Sequence, residues 1–292
     1  MQTSCTPLTS FLWAPWLAAR TGCAHTLRLC ALLAVAVLPY FGMALPATAQ
    51  QELITAEIRP GWRTRSGDHR AGLVLRMAPG WKTYWRAPGD AGIPPLLSWA
   101  GSRNLADVQI DWPTPKIDWT DGMRSVVYET KVVLPLTITP QQDQSDIHLS
   151  ATLQLGVCSD ICVPAMLDVS GVLPAALRRP DPVIASAMVD MPLTEAEAKV
   201  RDVTCTFTPD PKGLRLTTHL RMPPAGRTEN VVIETATPEV WVSVPRTQRQ
   251  QGVLQAEALL IHVDGGPFAL DRSGVRITVL GSDYAVDVQG CG

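Results

Sequence analysis

Apolar and polar positions of residues 53–173 alternate in short runs, which turn residues separate. Within residues 149–155, apolar side chains at the odd-numbered positions alternate with Ser150, Thr152 and Gln154. Because successive side chains of a strand point to opposite faces, this run predicts a β-strand with one buried and one solvated face. Similar patterns, bounded by turn clusters such as 87–90, predict strands at residues 53–58, 72–77, 131–139, 147–157 and 167–173.

A second strand-rich stretch follows a segment of different character. Residues 176–200 lack strand alternation and carry a proline and charge cluster at 178–182, followed by a run rich in Ala, Met and Glu. We therefore predict a linker with a short helix over residues 176–200. Strand patterns resume at residues 214–221, 231–235, 240–244, 254–263, 275–280 and 284–288. The sequence thus predicts an all-β protein with two immunoglobulin-like β-sandwich domains, residues 50–175 and 201–292.

Residues 1–49 have the features of a secretory signal peptide. They contain no Asp or Glu, carry Arg20 and Arg28, run apolar from residue 29 to 38 and end in Ala47-Thr48-Ala49. A positive region, an apolar core and a small-x-small site predict export and cleavage after Ala49. The alternative is an uncleaved membrane anchor, which the prolines and glycine of residues 39–46 disfavour.

The charge and the motif content exclude several functional classes. The chain has 25 Lys and Arg against 27 Asp and Glu, with no block of like charge, so nucleic acid is not expected as a partner. The histidines are scattered, with neither a Ser/His/Asp order nor metal-ligand spacing, and no glycine-rich phosphate loop is present. We therefore expect no hydrolase site and no bound cofactor, and the histidines predict no metal site.

Export changes the interpretation of the cysteines. Removal of the signal peptide leaves four of the seven, Cys158, Cys162, Cys205 and Cys291. An even number in an oxidising compartment suggests two disulfides, and of the three possible pairings the sequence favours nearest neighbours. In the loop-entropy model, closing about 87 residues stabilises the fold by roughly 4 to 5 kcal/mol, whereas closing about 5 gives roughly 2. We therefore predict that Cys205 and Cys291 form a structural disulfide and that the shorter pair is reactive.

The segment 156–164 places Cys158 and Cys162 between two predicted strands, so both sulfurs lie at or beside a turn. Pro164 removes one amide donor from the second strand, which suits a sheet edge that a partner can approach. Two other interpretations remain open at this point. The pair could be a structural disulfide, or it could bind Cu(I) together with the Met166 thioether.

Three motifs in order carry a resemblance to a known family. They are GWKTYWRAPGDAGIPP at 80–95, Tyr128-Glu129 before VVLP at 132–135, and GVCSDICVPA at 156–165. Together they resemble the amino-terminal periplasmic domain of the thiol:disulfide interchange protein DsbD, in the form of its ScsB-like relatives. The resemblance implies an immunoglobulin-like domain in the periplasm whose redox pair is Cys158 and Cys162.

The resemblance also implies partners and a direction of electron flow. Electrons would come from a membrane-embedded DsbD/CcdA-like donor and pass to thioredoxin-like periplasmic oxidoreductases, without a cofactor. A full DsbD-type protein continues into membrane and thioredoxin domains that this sequence lacks, so we expect separate partners for those steps. The resulting hypothesis is a protein-disulfide reductase or interchange component. The alternatives are a non-enzymatic two-sandwich binding module with two structural disulfides, and a copper-handling protein.

Four more residues are candidates for the surroundings of the pair. Asp160 lies between the two cysteines, where its carboxylate either disfavours a nearby thiolate or forms a side-chain bond in the turn. Tyr84, Trp85 and Tyr128 either form an aromatic surface at the pair or belong to the core of the sandwich. Burial of the pair would distinguish exchange from a structural role.

Overall fold

The computed structural model of the protein describes residues 53–90, 92–120 and 122–291. The predicted signal peptide, with Cys5, Cys23 and Cys30, lies outside these residues. Nearly all regular structure in the described part is β-strand, and its α-helix α1 spans Pro182–Val189. The all-β fold class is therefore confirmed.

The first half of the chain forms two antiparallel sheets. One has the strand order β1-β2-β8-β5 and the other β10-β9-β3-β7-β6, with β4 paired to β9. The strands are β1 (Ile54–Arg63), β2 (His69–Met77), β3 (Lys82–Gly89), β4 (Leu96–Ser98), β5 (Asp107–Ile110), β6 (Lys116–Thr120), β7 (Met123–Glu129), β8 (Lys131–Thr139), β9 (Ile147–Cys158) and β10 (Cys162–Leu173).

The two sheets bury one shared apolar core. Strand β9 contributes Leu149, Ala151, Leu153 and Leu155, all buried, while Gln154 between them is exposed. The predicted alternation of this strand is confirmed. Trp85 of β3 is fully buried in the same cluster. Inward-facing residues from both sheets make this half a β-sandwich.

The second half forms another pair of sheets around its own core. Their orders are β11-β19-β18-β14 and β12-β13-β17-β15, with β16 paired to β17. The strands are β11 (Leu193–Thr194), β12 (Asp202–Asp210), β13 (Gly213–Arg221), β14 (Glu229–Glu234), β15 (Val240–Val242), β16 (Arg246–Gln250), β17 (Val253–His262), β18 (Arg276–Gly281) and β19 (Ala285–Gln289).

Helix α1 lies in the segment between the two sandwiches and packs on the first one. Asp181 caps its N-terminus by accepting from the backbone N–H groups of Val183 and Ile184, and the Asp181 carboxylate also pairs with Arg59. Ile184 is fully buried. It packs where Gly72 of β2 leaves room, because a Cβ at Gly72 would lie 2.9 Å from the Ile184 side chain.

The two sandwiches meet through apolar and ionic contacts. Val232, Leu280 and Ala285 of the second half join the core cluster of the first. The Arg86 guanidinium bonds the Glu234 carboxylate at 3.1 and 3.2 Å. Each sheet nevertheless takes its strands from one half of the chain. The division into domains 50–175 and 201–292, joined by residues 176–200, stays a prediction.

Candidate redox site

The hairpin of β9 and β10 brings the two cysteines face to face. Cys158 ends β9, Cys162 begins β10, and the two are direct partners in the antiparallel register. They form a disulfide with a Cα–Cα distance of 4.2 Å. A three-residue turn connects the strands, in which the Ser159 N–H donates to the Ile161 carbonyl at 3.0 Å. The sulfurs therefore lie at the end of a sheet.

The two cysteines differ in exposure because of their positions in the sheet. Strand β10 is the edge strand, whereas β9 is flanked by β10 and β3. Cys158 is 1% exposed and Cys162 is an exposed residue. Solvent and any incoming thiol consequently reach Cys162 first.

The hydroxyl group of Tyr84 on β3 is within hydrogen-bonding distance of both sulfurs of the disulfide. Its hydroxyl oxygen lies 2.9 Å from Cys158 Sγ and 3.3 Å from Cys162 Sγ. A disulfide sulfur has no proton, so the phenol is the donor. Burial raises the pKa of Tyr84; the Lys82 charge opposes this rise and the Asp118 charge adds to it. The phenol therefore keeps its proton at neutral pH.

Two glycines leave room for the Tyr84 ring beside the hairpin. Gly156 is on β9, two residues before Cys158, and a Cβ there would lie 2.9 Å from both the Tyr84 ring and Ile93. Gly92 borders the same ring, where a Cβ would lie 2.8 Å from two ring carbons. Larger residues at either position would displace the phenol from the sulfurs.

An ion pair lies next to the tyrosine. Lys82 is the register partner of Cys158 across β3 and β9, and its Nζ lies 2.5 Å from Asp118 Oδ2. This hydrogen bond lowers the pKa of Asp118. Val127 of β7 packs with Tyr84 and Cys158 in a small buried cluster. The buried sulfur thus has an apolar neighbour, a phenol donor and a neutralised cation around it.

Two of the predicted aromatic residues lie elsewhere. Trp85 is fully buried in the core, and the Tyr128 hydroxyl donates to the Pro113 carbonyl at 2.6 Å. Burial raises the pKa of Tyr128 well above its usual value. Trp85 follows Tyr84, and Tyr128 follows Val127, so each pair of neighbours points to opposite faces of the sheet. The core interpretation therefore applies to Trp85 and Tyr128, and Tyr84 is the one that contacts the pair.

Asp160 is exposed in the turn between the cysteines. Its carboxylate has no hydrogen bond to any other residue in the described part of the chain. These residues therefore give no support to a side-chain hydrogen bond of Asp160 within the turn. Lys82, Asp118, Val127 and Gly156 complete the site, and sequence reasoning did not single them out. The motif at 80–95 contains Lys82, but strand register was needed to place it beside Cys158.

The copper interpretation needs three soft ligands to converge, and the strand geometry separates them. Met166 lies four residues beyond Cys162 on the same extended strand, which places it about 13 Å away at the usual rise per residue. Metal–sulfur bonds to one ion require far closer ligands. Within residues 53–291 as described, no group of three His, Cys, Asp or Glu side chains is placed to hold a metal ion.

The second disulfide joins the ends of the second sandwich. Cys205 lies on β12 and Cys291 follows β19 by two residues. Their Cα atoms are 5.5 Å apart, and both residues belong to the buried core cluster.

In the described part of the chain, no helix is both long and apolar enough to cross a bilayer.

The first half of the chain is thus a two-sheet immunoglobulin-like sandwich with a disulfide across an edge hairpin, in which Cys162 is exposed and Cys158 is buried. Residues 44–174 match the model of the family described as thiol:disulfide interchange protein DsbD, N-terminal. The match supports thiol:disulfide exchange as its general chemistry. No curated protein sequence matches the chain.

A solved structure supports the same fold. The N-terminal periplasmic domain of ScsB from Proteus mirabilis matches with a TM-score of 0.58 and 24% identity, over 82% of this chain and 92% of its own. That coverage extends beyond the first sandwich into the second. The reduced N-terminal domain of DsbD from Neisseria meningitidis matches 48% of this chain and 92% of its own, with 12% identity and a TM-score of 0.28, too low to bear on the fold.

Proposed function

We propose that this protein relays electrons in the periplasm by thiol:disulfide exchange at Cys158 and Cys162. A membrane-embedded DsbD/CcdA-like donor reduces the pair, and thioredoxin-like periplasmic oxidoreductases reoxidise it. The observation that carries the proposal is the asymmetry of the pair. Cys162 is exposed on an edge strand, whereas Cys158 is buried against the Tyr84 phenol.

Reduction begins at the exposed sulfur. A thiolate of the donor attacks Cys162 Sγ, a new donor–Cys162 disulfide forms, and the Cys158–Cys162 bond breaks. The electron pair of the broken bond leaves on Cys158 as a thiolate. The Tyr84 hydroxyl, 2.9 Å from Cys158 Sγ, donates a hydrogen bond to this developing charge. Lys82, the register partner of Cys158, lies next to this sulfur as one half of its ion pair with Asp118.

The second step releases the reduced chain. The donor's other thiolate attacks the donor sulfur of the mixed disulfide, so that Cys162 leaves as a thiolate and the donor becomes a disulfide. Two protons from solvent convert the two cysteine thiolates to thiols. Two electrons have then moved from the donor to this chain, and no cofactor has taken part.

Transfer to the acceptor runs the same chemistry in the opposite direction. The Cys162 thiolate attacks the acceptor's disulfide, and Cys158 then attacks Cys162 Sγ to release the reduced acceptor. Export through the predicted signal peptide would bring the chain to the periplasm. The enzyme class that follows is a protein-disulfide reductase or interchange component.

Single-cysteine variants test the proposal. Cys158→Ser keeps the exposed Cys162 and should trap a mixed disulfide with a reactive thioredoxin-like protein, because the resolving sulfur is gone. Cys162→Ser should trap far less, because its remaining sulfur is buried. Both variants should lose turnover and stay folded. Equal trapping by the two variants would contradict the assigned roles, and unfolding of both would favour the structural-disulfide module.

A further inference from the structure

The outer face of the sheet that carries the redox pair is organised in rows across neighbouring strands. Because Cys158 and Cys162 are register partners, their side chains share one face. Two residues along, Gly156 faces Pro164, and two further on, Gln154 faces Met166. The side chains of these three rows therefore lie on the same face of the sheet.

Two additional residues extend these rows on the other side of β9. Leu96 of β4 is the register partner of Gln154. Ile93 lies over Gly156, since a Cβ at that glycine would be 2.9 Å from the Ile93 Cβ. The rows thus run from Leu96 and Met166, through Ile93 and Pro164, to the disulfide.

The rows contain the exposed polar side chain of Gln154 and the buried residues Gly156 and Cys158, and the side chains that flank them are apolar and open to solvent. The exposed fractions are 42% for Ile93, 61% for Leu96, 64% for Ile161 in the turn and 70% for Met166. Pro164 is exposed as well. We call these five residues the hairpin patch.

The hairpin patch has a polar boundary. In the next row, Ser98 of β4 and Asp168 of β10 flank Thr152, whose hydroxyl donates to the Asp168 carboxylate at 2.7 Å. Exposed apolar side chains grouped beside one site and rimmed by polar ones are typical of interaction surfaces.

A protein that exchanges disulfides with Cys162 must come into contact with the hairpin patch. To form a bond with Cys162 Sγ, the partner must bring its own sulfur, and the surface around that sulfur, against the residues next to Cys162. A transient interface buries up to about 600 Å² on each side, which corresponds to a disc of up to about 14 Å radius. Met166 lies about 13 Å from Cys162 along the strand, inside this disc.

We propose that the hairpin patch is the docking surface for the thioredoxin-like partner of the exchange reaction, and that it recognises an uncharged, apolar rim around the partner's cysteines. This inference rests on the proposed function. Met166 suits such a role because its flexible thioether adapts to different apolar surfaces. The patch thereby sets which proteins exchange quickly, while the disulfide itself stays open to small thiols.

Charged substitutions at the patch test this proposal. Reduction of the oxidised protein is followed by stopped flow with two reductants, reduced thioredoxin and dithiothreitol. Leu96→Asp and Met166→Asp should lower the rate constant with thioredoxin at least tenfold, because a carboxylate must be desolvated at the interface. Their rate constants with dithiothreitol should stay within about twofold of wild type, because a small dithiol does not cover the patch.

Two matched controls separate docking from general damage. Val172→Asp introduces the same charge on the same face of β10, at a residue 47% exposed, and about 33 Å from Cys162 at the usual rise per residue. It should leave both rate constants unchanged. Met166→Leu keeps the apolar surface and should also react at the wild-type rate.

The outcomes distinguish the docking surface from the chemistry. Wild-type rate constants with thioredoxin for both Asp variants would overturn the docking proposal while leaving exchange intact. An equal loss with dithiothreitol would also overturn it, because the defect would then lie at the disulfide. A wild-type protein that reacts with neither reductant would overturn the proposed function, and the docking surface with it.

Discussion

The Tyr84 hydroxyl group is a hydrogen-bond donor next to the buried sulfur of Cys158. The Tyr84 phenol contacts both sulfurs, is held by a buried ring and keeps its proton because burial raises its pKa. A donor placed in this way is worth little to the disulfide but much more to a thiolate, since hydrogen bonds to charged groups are roughly twice as strong as neutral ones. Its effect should therefore appear in the reduced protein.

We predict that Tyr84→Phe raises the pKa of the Cys158 thiol. Loss of a hydrogen bond to a charged group, about 1.5 to 3 kcal/mol, corresponds to a rise of about 1 to 2 pH units. Reduction by dithiothreitol should slow by about tenfold because the leaving thiolate is less stabilised. The thiolate absorbance of the reduced protein, recorded against pH, measures the first effect and stopped flow the second.

Tyr128→Phe is the matched control for this variant. It removes a buried hydroxyl that donates to the Pro113 carbonyl on the other face of the sheet. It should cost about 1 to 3 kcal/mol of stability and leave the thiol titration unchanged. An identical titration for Tyr84→Phe and wild type would remove the phenol from the mechanism.

His69 supplies a pH-dependent contribution to stability. It is fully buried, its Nε2 lies 2.5 Å from the Pro60 carbonyl and its Nδ1 is buried without a partner in the described structure. Burial lowers the pKa of His69, and the Pro60 hydrogen bond only partly opposes the effect. Between the folded pKa and the unfolded value of about 6.5, the unfolded chain binds more protons than the folded one.

The unfolding free energy should therefore fall as the pH drops below about 6.5, down to the folded pKa of His69. Urea unfolding at a series of pH values measures this slope. His69→Gln should flatten the curve in this window, whereas His148→Gln, at an exposed residue, should not. A slope unaffected by His69→Gln would show that other groups cause the loss of stability at acidic pH.

At the scale of elements, the alternation of apolar and polar residues was sufficient to predict a strand that has one apolar face. Strand β9 was predicted from its alternation and is buried in that pattern. Strands β3 and β7 were not predicted, because their inward positions include polar groups. Thr83 of β3 is buried while its hydroxyl donates to the Gly156 carbonyl, and Arg124 of β7 is buried while its Nη1 donates to the Val231 carbonyl. These partners are distant in sequence, so no local signal marks them.

The candidate site, too, was predicted from local sequence only in part. The spacing and turn context of Cys158 and Cys162 located the hairpin, and the motif at 80–95 included Tyr84. The choice of Tyr84 over Trp85 depends on which of the two side chains lies on the same face of the sheet as Cys158. That choice follows from the pairing of Lys82 with Cys158, which is a long-range contact.

The two disulfides should differ in their contribution to stability. Opening Cys205–Cys291 by Cys205→Ser should cost about 2 to 5 kcal/mol, because the bond closes a loop of about 87 residues. Opening Cys158–Cys162 by Cys162→Ser should cost no more than about 2 kcal/mol, since its loop has about 5 residues. Urea titration of each variant gives the values. A larger loss at the hairpin than at the second sandwich would favour a structural role for both bonds.

At the scale of the whole molecule, polar contacts join the two sandwiches. The Arg86 guanidinium bonds Glu234, lies near Asp287 and stacks on the Trp85 ring at 3.9 Å. Burial lowers the pKa of Arg86, and the Glu234 charge opposes this change. Nothing in the local sequence pairs these groups, so the interface was not predicted. The proposed two-domain organisation therefore includes a specific contact that holds the domains together.

Limited proteolysis tests this organisation. Trypsin should cut first within residues 176–200, where Arg178 is exposed before the N-cap of α1. Arg86→Met should speed this cut, because it leaves Glu234 without its partner and loosens the contact between the sandwiches. Lys116→Met, which breaks an exposed ion pair with Glu129, should not. First cleavage inside a sheet of either sandwich would contradict the proposed boundary.

The most direct test of electron relay compares the two disulfides in one sample. The wild-type protein is equilibrated with a graded series of reduced and oxidised glutathione, free thiols are alkylated, and each cysteine is quantified by mass spectrometry. Cys158 and Cys162 should become reduced together while Cys205 and Cys291 remain bonded, because structural disulfides resist the glutathione pool and exchanging ones do not. Reduction of Cys205–Cys291 before the hairpin pair, or of both pairs only on unfolding, would contradict the account.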